Sequence, residues 1–204
     1  MLILLFAHQD QLLAQPQATH SKITLLILGD SLSAAYGLKQ DQGWVSLLQK
    51  QWQHEQLGID VVNAAISGET TDGGLARLPR LLAQHQPTHV LIELGGNDAL
   101  QGHNINKIKN NLASLVLLSK QANARVMLQD MQIPTNYGSR YRRMFEQVYK
   151  DVADEQNIPL VPFFLMDIAL KPNLMQRDGI HPTAEAQPLI SEFMYQQLTP
   201  LLRK

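Results

Sequence analysis

Ile23-Thr24-Leu25-Leu26-Ile27-Leu28-Gly29-Asp30-Ser31 is a nearly unbroken apolar run that ends on a glycine, an acid and a hydroxyl. It is too short for a buried helix, and its lack of polar alternation excludes a strand with one wet face. The run therefore reads as a strand covered on both sides, with a polar loop at its carboxyl end. Ile59 to Val62, His89 to Leu94, Arg125 to Leu128 and the short Ile158 to Val161 have the same character. Between and after them, helical spacing appears at Trp44 to Gln56, Gly74 to His85, Ile105 to Gln121, Arg140 to Gln156 and Ala184 to Leu198. Pro87 and Pro159 stand just past two of these helices, where chain-breaking is expected. Short apolar runs alternating with longer amphipathic ones predict an α/β fold with a parallel sheet buried on both faces.

Composition narrows the field further. The 204 residues are 45% hydrophobic, enough for one sizeable core. No repeat, low-complexity tract or linker interrupts residues 21–204, which are expected to form one domain. A net charge of -1, from 17 basic and 18 acidic residues, creates no field that would draw the chain onto nucleic acid or an anionic membrane. The absence of cysteine excludes disulfides, zinc–thiolate sites and a thiol nucleophile, and leaves the redox compartment open. Residues 1–20 read as a leader, with an apolar run from Leu2 to Ala7 ahead of a polar, small-residue stretch from Gln9 to Ala18. It lacks a basic start and is far short of the roughly twenty apolar residues of a membrane span. It reads either as an export signal without its start or as a disordered leader; the first implies a periplasmic or secreted protein.

The polar residues fall where a parallel sheet would gather them. Gly29-Asp30-Ser31 follows the first run, Ser67-Gly68 the second and Gly95-Gly96-Asn97-Asp98 the third, and Asp178-Gly179-Ile180-His181-Pro182 precedes the last helix. The carboxyl ends of parallel strands line one crevice, so the first three loops converge there, and the fourth can reach the same edge. Acyl transfer needs a nucleophile, a base, an orienter for that base and donors aimed at the developing oxyanion. These loops carry all four. Ser31 is the candidate nucleophile and its N–H a candidate oxyanion donor; Ser33 is expected to matter far less. Asp178 and His181 are three residues apart across a glycine, a spacing that lets the carboxylate hold one imidazole nitrogen while the other faces Ser31. The other six of the seven histidines have surface, core or leader explanations. Gly68 can bring a bare N–H close to substrate, and Asn97 adds a side-chain amide. Singly, Ser31 reads as a helix cap, and Gly68, Asn97 and Asp178 as turn residues. Their joint placement points to ester chemistry.

Taken together, these blocks resemble those of the SGNH hydrolases, also called the GDSL family. The match runs through Gly29-Asp30-Ser31-Leu32-Ser33, Gly68 within Asn63 to Thr70, Gly95-Gly96-Asn97-Asp98 and Asp178-Gly179-Ile180-His181-Pro182, and covers nearly everything from Ile23 to the C-terminus. Ser31, Gly68, Asn97 and His181 match the four name-giving residues, and Asp178 the usual acid. Gly74 to Pro79, Asn136-Tyr137-Gly138 and Leu170 to Asn173 look like a branch acting on acyl thioesters, lysophospholipids and aryl esters. The resemblance implies a three-layer α/β/α sandwich of flavodoxin-like strand order, no cofactor or metal, and a small acyl ester or thioester as partner. It further implies no nucleic acid, at most transient contact with membrane lipid, and action as a monomer.

Leu75, Leu78, Ile133 and Pro134 lie on segments beside the proposed loops and are expected to wall an acyl-binding groove. Gly73 and Gly74 would give the segment ahead of Leu75 freedom to close over a bound chain. The rival functions are weaker. Neither G-x-G-x-x-G nor G-x-x-x-x-G-K-[ST] occurs, which disfavours a nucleotide binder. H-E-x-x-H and G-x-S-x-G are also missing, which disfavours a zinc hydrolase and the α/β-hydrolase elbow. A carbohydrate acetylesterase of the same family and a non-catalytic lipid-binding module remain the alternatives.

Overall fold

The computed structural model describes residues 22–204; the leader read at residues 1–20 lies outside the described residues. Five strands form a parallel sheet in the order β2-β1-β3-β4-β5. They are β1 Ile23–Gly29, β2 Ile59–Asn63, β3 His89–Glu93, β4 Arg125–Gln129 and β5 Leu160–Val161. The helices are α1 Trp44–His54, α2 Thr71–His85, α3 Gly96–Leu100, α4 Ile105–Gln121, α5 Ser139–Gln156 and α6 Gln187–Leu202. α1 packs on α6, while α4 packs between α2 and α5. These two groups of helices cover the sheet as the outer layers of a three-layer α/β/α sandwich.

The run read first, β1, sits between β2 and β3, and its Leu25, Leu26, Ile27 and Leu28 are fully buried. Each such side chain contributes roughly 1.5–3 kcal/mol of burial free energy, which explains why this segment organises the fold. The prediction of double-sided burial fails at β2. Its residues from Asp60 to Asn63 are only half-buried, because an edge strand has one neighbour. At the other edge, Ile158 is drawn into the end of α5, its N–H bonding Ala153 O after the left-handed cap Asn157; β5 consequently starts at Leu160. α2 begins three residues earlier than predicted, because the Thr70 hydroxyl accepts from Gly73 N–H and caps it. Gly73 and Gly74 are thus helical and not a hinge. A Cβ on Gly74 would overlap Leu94 Cδ1, so this glycine lets the helix approach the sheet.

The carboxyl ends of β1 to β4 run directly into 30–31, 64–68, 94–95 with the start of α3, and 130–134. Beyond their last paired residues, Ala64 N–H still bonds Ile27 O and Ile66 N–H bonds Gly29 O. The second loop is therefore held against the first.

Candidate active site

Ser31 follows β1 in a turn built by its neighbour. Asp30 Oδ1 accepts from Leu32 N–H at 3.0 Å, Asp30 O from Ala34 N–H and Ser31 O from Tyr36 N–H. The loop after the short 3₁₀ turn Pro172–Leu174 brings His181 across from the far end of the chain. Gln176 N–H donates to His181 O, and Met175 pairs with Pro182 in an antiparallel bridge. His181 Nε2 lies 2.8 Å from Ser31 Oγ, and His181 Nδ1 lies 2.7 Å from Asp178 Oδ2. The other oxygen, Asp178 Oδ1, accepts the N–H groups of Ile180 at 2.9 Å and His181 at 3.0 Å. Burial alone would raise the Asp178 pKa, but these N–H donors and the imidazole outweigh it and hold the carboxyl down at about 2. It is a fixed anion that holds the ring by Nδ1 with Nε2 toward Ser31. The chain of contacts can carry a proton off Ser31 onto His181.

Gly68 lies on the second loop with φ +81°, and open space surrounds the position of its missing Cβ. Among the described residues neither Ser31 N–H nor Gly68 N–H has a protein acceptor, and both residues line the same cavity. Asn97 differs. Its Nδ2 donates to Glu69 O at 2.9 Å and to Asp30 Oδ2 at 3.1 Å. It stands in the first turn of α3, and the loop before it turns at Gly95, whose φ of +110° and close approach to Tyr149 Oη exclude a side chain. Asp98 ties this loop to α2 by accepting Thr71 N–H at 2.8 Å and Thr71 Oγ1 at 2.6 Å.

Beneath the turn lies a group that the sequence reading does not single out. Glu93, at the end of β3, is fully buried, and its Oε2 accepts Ser33 Oγ at 2.6 Å and Asp30 N–H at 3.2 Å. Its other oxygen, Oε1, is buried without a hydrogen-bond partner among the described residues. Burial pushes Asp30 up to about 6, against the pull of Leu32 N–H and of Glu93. Burial and the neighbouring Asp30 charge push Glu93 well above the usual carboxylate range. An acid inside an otherwise apolar strand was the available signal. Ser33 is correspondingly no bystander; it is buried and bonded to this pair.

Ser31, Gly68, Asn97 and His181 share a cavity of about 690 Å³, and Ile133 and Pro134 are among its walls. Leu75 and Leu78 are not among them. Leu78 is fully buried and Leu75 packs on the core, because the apolar face of α2 turns toward the sheet and not toward the crevice. The rest of the apolar wall includes Leu100, Phe163 and Met166, on segments the sequence left unassigned, and Leu170, at the start of a stretch noted only for its resemblance. Tyr36 stands at His181, with ring centroids 4.3 Å apart.

A model of the GDSL-like lipase/acylhydrolase family matches residues 27–188, a span holding all five of these candidate residues. The chain belongs to that family. Among GDSL-like relatives, the thioesterase 1/protease 1/lysophospholipase L1 of Escherichia coli strain K12 is 49% identical over 179 residues, which are 88% of this chain and 85% of that protein. The esterase TesA of Pseudomonas aeruginosa is 50% identical over 179 residues, covering 88% of this chain and 89% of its own. Among solved structures, the psychrotrophic esterase EstA from Pseudoalteromonas sp., inhibited by monoethylphosphonate, superposes with a TM-score of 0.87 at 50% identity. That likeness spans 89% of this chain and 99% of the esterase. The three-layer sandwich seen here is thus the fold of GDSL-like esterases.

Proposed function

We propose that this hydrolase cleaves carboxylic esters and acyl thioesters through an acyl-enzyme on Ser31. His181 takes the hydroxyl proton as Ser31 Oγ attacks the carbonyl carbon, and Asp178 stabilises the imidazolium. The carbonyl oxygen becomes an oxyanion facing Ser31 N–H, Gly68 N–H and the Asn97 amide. His181 then gives its proton to the departing alkoxide or thiolate, and the acyl group stays on Ser31. Water repeats the sequence, its proton going to His181, its oxygen to the acyl carbon, and the proton returning to Ser31 as the acid leaves.

One observation carries this reading: the continuous contact from Ser31 Oγ through His181 to Asp178, at 2.8 and 2.7 Å, at an apolar cavity. The apolar walls support an acyl chain as the bound group, and the names of the relatives support esters, thioesters and lysophospholipids. Residues 21–204 are the hydrolase domain and residues 1–20 a leader directing it to the periplasm or beyond, a reading supported by the apolar run from Leu2. No helix among the described residues is long and apolar enough to cross a membrane. The enzyme acts as a monomer, with no nucleic-acid partner and at most transient contact with membrane lipid.

The test is hydrolysis of p-nitrophenyl acetate, octanoate and palmitate and of the matching acyl-CoA thioesters by wild type and Ser31→Ala. Ser31→Ala is expected to retain a folded chain and less than about a tenth of the activity, since triad nucleophiles contribute orders of magnitude. Retained activity overturns the nucleophile. An acetate optimum without thioesterase activity favours an acetylesterase, and an inert wild type favours a lipid-binding module.

A further inference from the structure

Asn97 Nδ2 carries two hydrogens, and both are engaged in the free enzyme, by Glu69 O at 2.9 Å and Asp30 Oδ2 at 3.1 Å. An oxyanion that is to use this donor must share or displace one of those acceptors. The two are not equivalent. Glu69 is pinned: its N–H bonds Ile66 O, its carboxylate receives Arg77 Nε at 2.6 Å, and Arg77 Nη2 reaches Ala64 O. Asp30 is better able to let go. Its bond to Asn97 is the longer of the two, and its Oδ1 still accepts Leu32 N–H at 3.0 Å when Asn97 turns that hydrogen to the oxyanion.

Building on the proposed hydrolase mechanism, we propose that Asp30 is the positioning residue of the oxyanion hole, fixing the Asn97 amide with its nitrogen toward Ser31 and yielding that hydrogen to the oxyanion. An amide in this loop has two orientations that differ only by exchanging Oδ1 and Nδ2. Two acceptors on one side select the nitrogen. Without the Asp30 carboxylate that selection weakens, and an Asn97 oxygen turned toward Ser31 would repel the developing charge. Behind Asp30, Glu93 Oε2 accepts Ser33 Oγ and Asp30 N–H and so fixes the turn that carries Asp30. Asp98 and His181 are the other charged or titratable groups acting on Asp30.

Asp30→Asn tests this at nearly constant shape. When the side-chain oxygen of that variant still accepts Leu32 N–H, its NH2 turns toward Asn97 Nδ2, which sets donor against donor and flips the Asn97 amide. With p-nitrophenyl octanoate, kcat is expected to fall by about tenfold to a hundredfold, approaching the loss typical of a missing oxyanion donor. KM should stay within about twofold, because the ground-state carbonyl does not use this bond. In an Asn97→Ala background the same substitution should change kcat by less than about twofold, as two residues acting through one bond are not additive. Additive losses, or a loss confined to KM, overturn the proposal. Should Asp30→Asn fail to fold, the wild-type enzyme answers by NMR. The Asn97 side-chain NH2 resonances, identified by their loss in Asn97→Ala, should shift when Ser31 is phosphonylated, and unmoved resonances overturn the proposal. A wild type that neither hydrolyses the ester nor takes the phosphonate overturns the hydrolase reading itself; an active wild type with additive variants overturns only the role of Asp30.

Discussion

The ring centroids of Tyr36 and His181 lie 4.3 Å apart, with the planes tilted by 33°, and both residues line the cavity. Tyr36 is itself about half exposed, so the contact holds the base and not the fold. Aromatic pairs of this kind are worth about 0.5–1.5 kcal/mol beyond their burial. Tyr36→Ala is therefore expected to lower kcat/KM by about twofold to tenfold with no more than a small change in Tm. Tyr36→Phe keeps the ring and should behave as wild type. A Phe variant as impaired as the Ala variant would assign the effect to the hydroxyl.

Asp178→Asn removes the anion while keeping the outline of the side chain. Its amide can still accept from the N–H groups of Ile180 and His181, but its second position can present a donor to His181 Nδ1 and favour the wrong tautomer. Turnover is expected to fall by about a thousandfold or more, the scale known for triad acids. The sign of the linked stability also follows. A carboxyl held at about 2 in the folded chain and near its ordinary value when unfolded contributes stability that is fully present above about pH 4 and lost as pH falls through about 2. Thermal melts between pH 5 and 8 should show no slope from Asp178; a slope there that disappears in Asp178→Asn would contradict this.

Asp30 has the opposite sign. Its folded pKa is raised to about 6, so the folded chain binds more protons than the unfolded one between about pH 4 and 6. Stability from this group is present at the acid end, declines as pH rises through about 6, and is level above that. Wild type should therefore lose Tm between pH 5 and pH 8 relative to Asp30→Asn, whatever the absolute Tm of the variant. Parallel curves for the two proteins would show that Asp30 does not titrate in this range.

The sheet and the loops at its carboxyl edge were legible because each signal is local. An apolar run marks β1 and β3, and a glycine with a polar residue marks the exits of β1, β2 and β3. The residues that meet in the site, Ser31, Gly68, Asn97, Asp178 and His181, could be named for the same reason. What escaped depends on the direction a helix face takes. Leu75 and Leu78 are apolar and stand near the second loop in sequence, yet α2 turns them into the core. Glu93 escaped because its partners, Asp30 and Ser33, are separated from it by 63 and 60 residues and meet it only after β1 and β3 pair.

That misplacement sharpens the test of acyl selectivity. Ile133 lines the cavity and is nearly buried, whereas Leu78 is fully buried in the core and does not reach the cavity. Each methylene of an acyl chain taken out of water favours binding by up to about 0.8 kcal/mol, so a cavity of about 690 Å³ with apolar walls should prefer octanoate to acetate. Truncating a wall residue removes contacts that only the longer chain makes. Ile133→Ala is expected to lower the octanoate-to-acetate ratio of kcat/KM by about threefold to tenfold, the loss of one or more buried methylene contacts. Leu78→Ala should leave that ratio unchanged, although it opens a core cavity and costs about 2–5 kcal/mol of stability. Both variants are compared below their melting temperatures, with p-nitrophenyl acetate and octanoate. A ratio that moves with Leu78 and not with Ile133 would return the acyl groove to α2 and contradict the cavity described here.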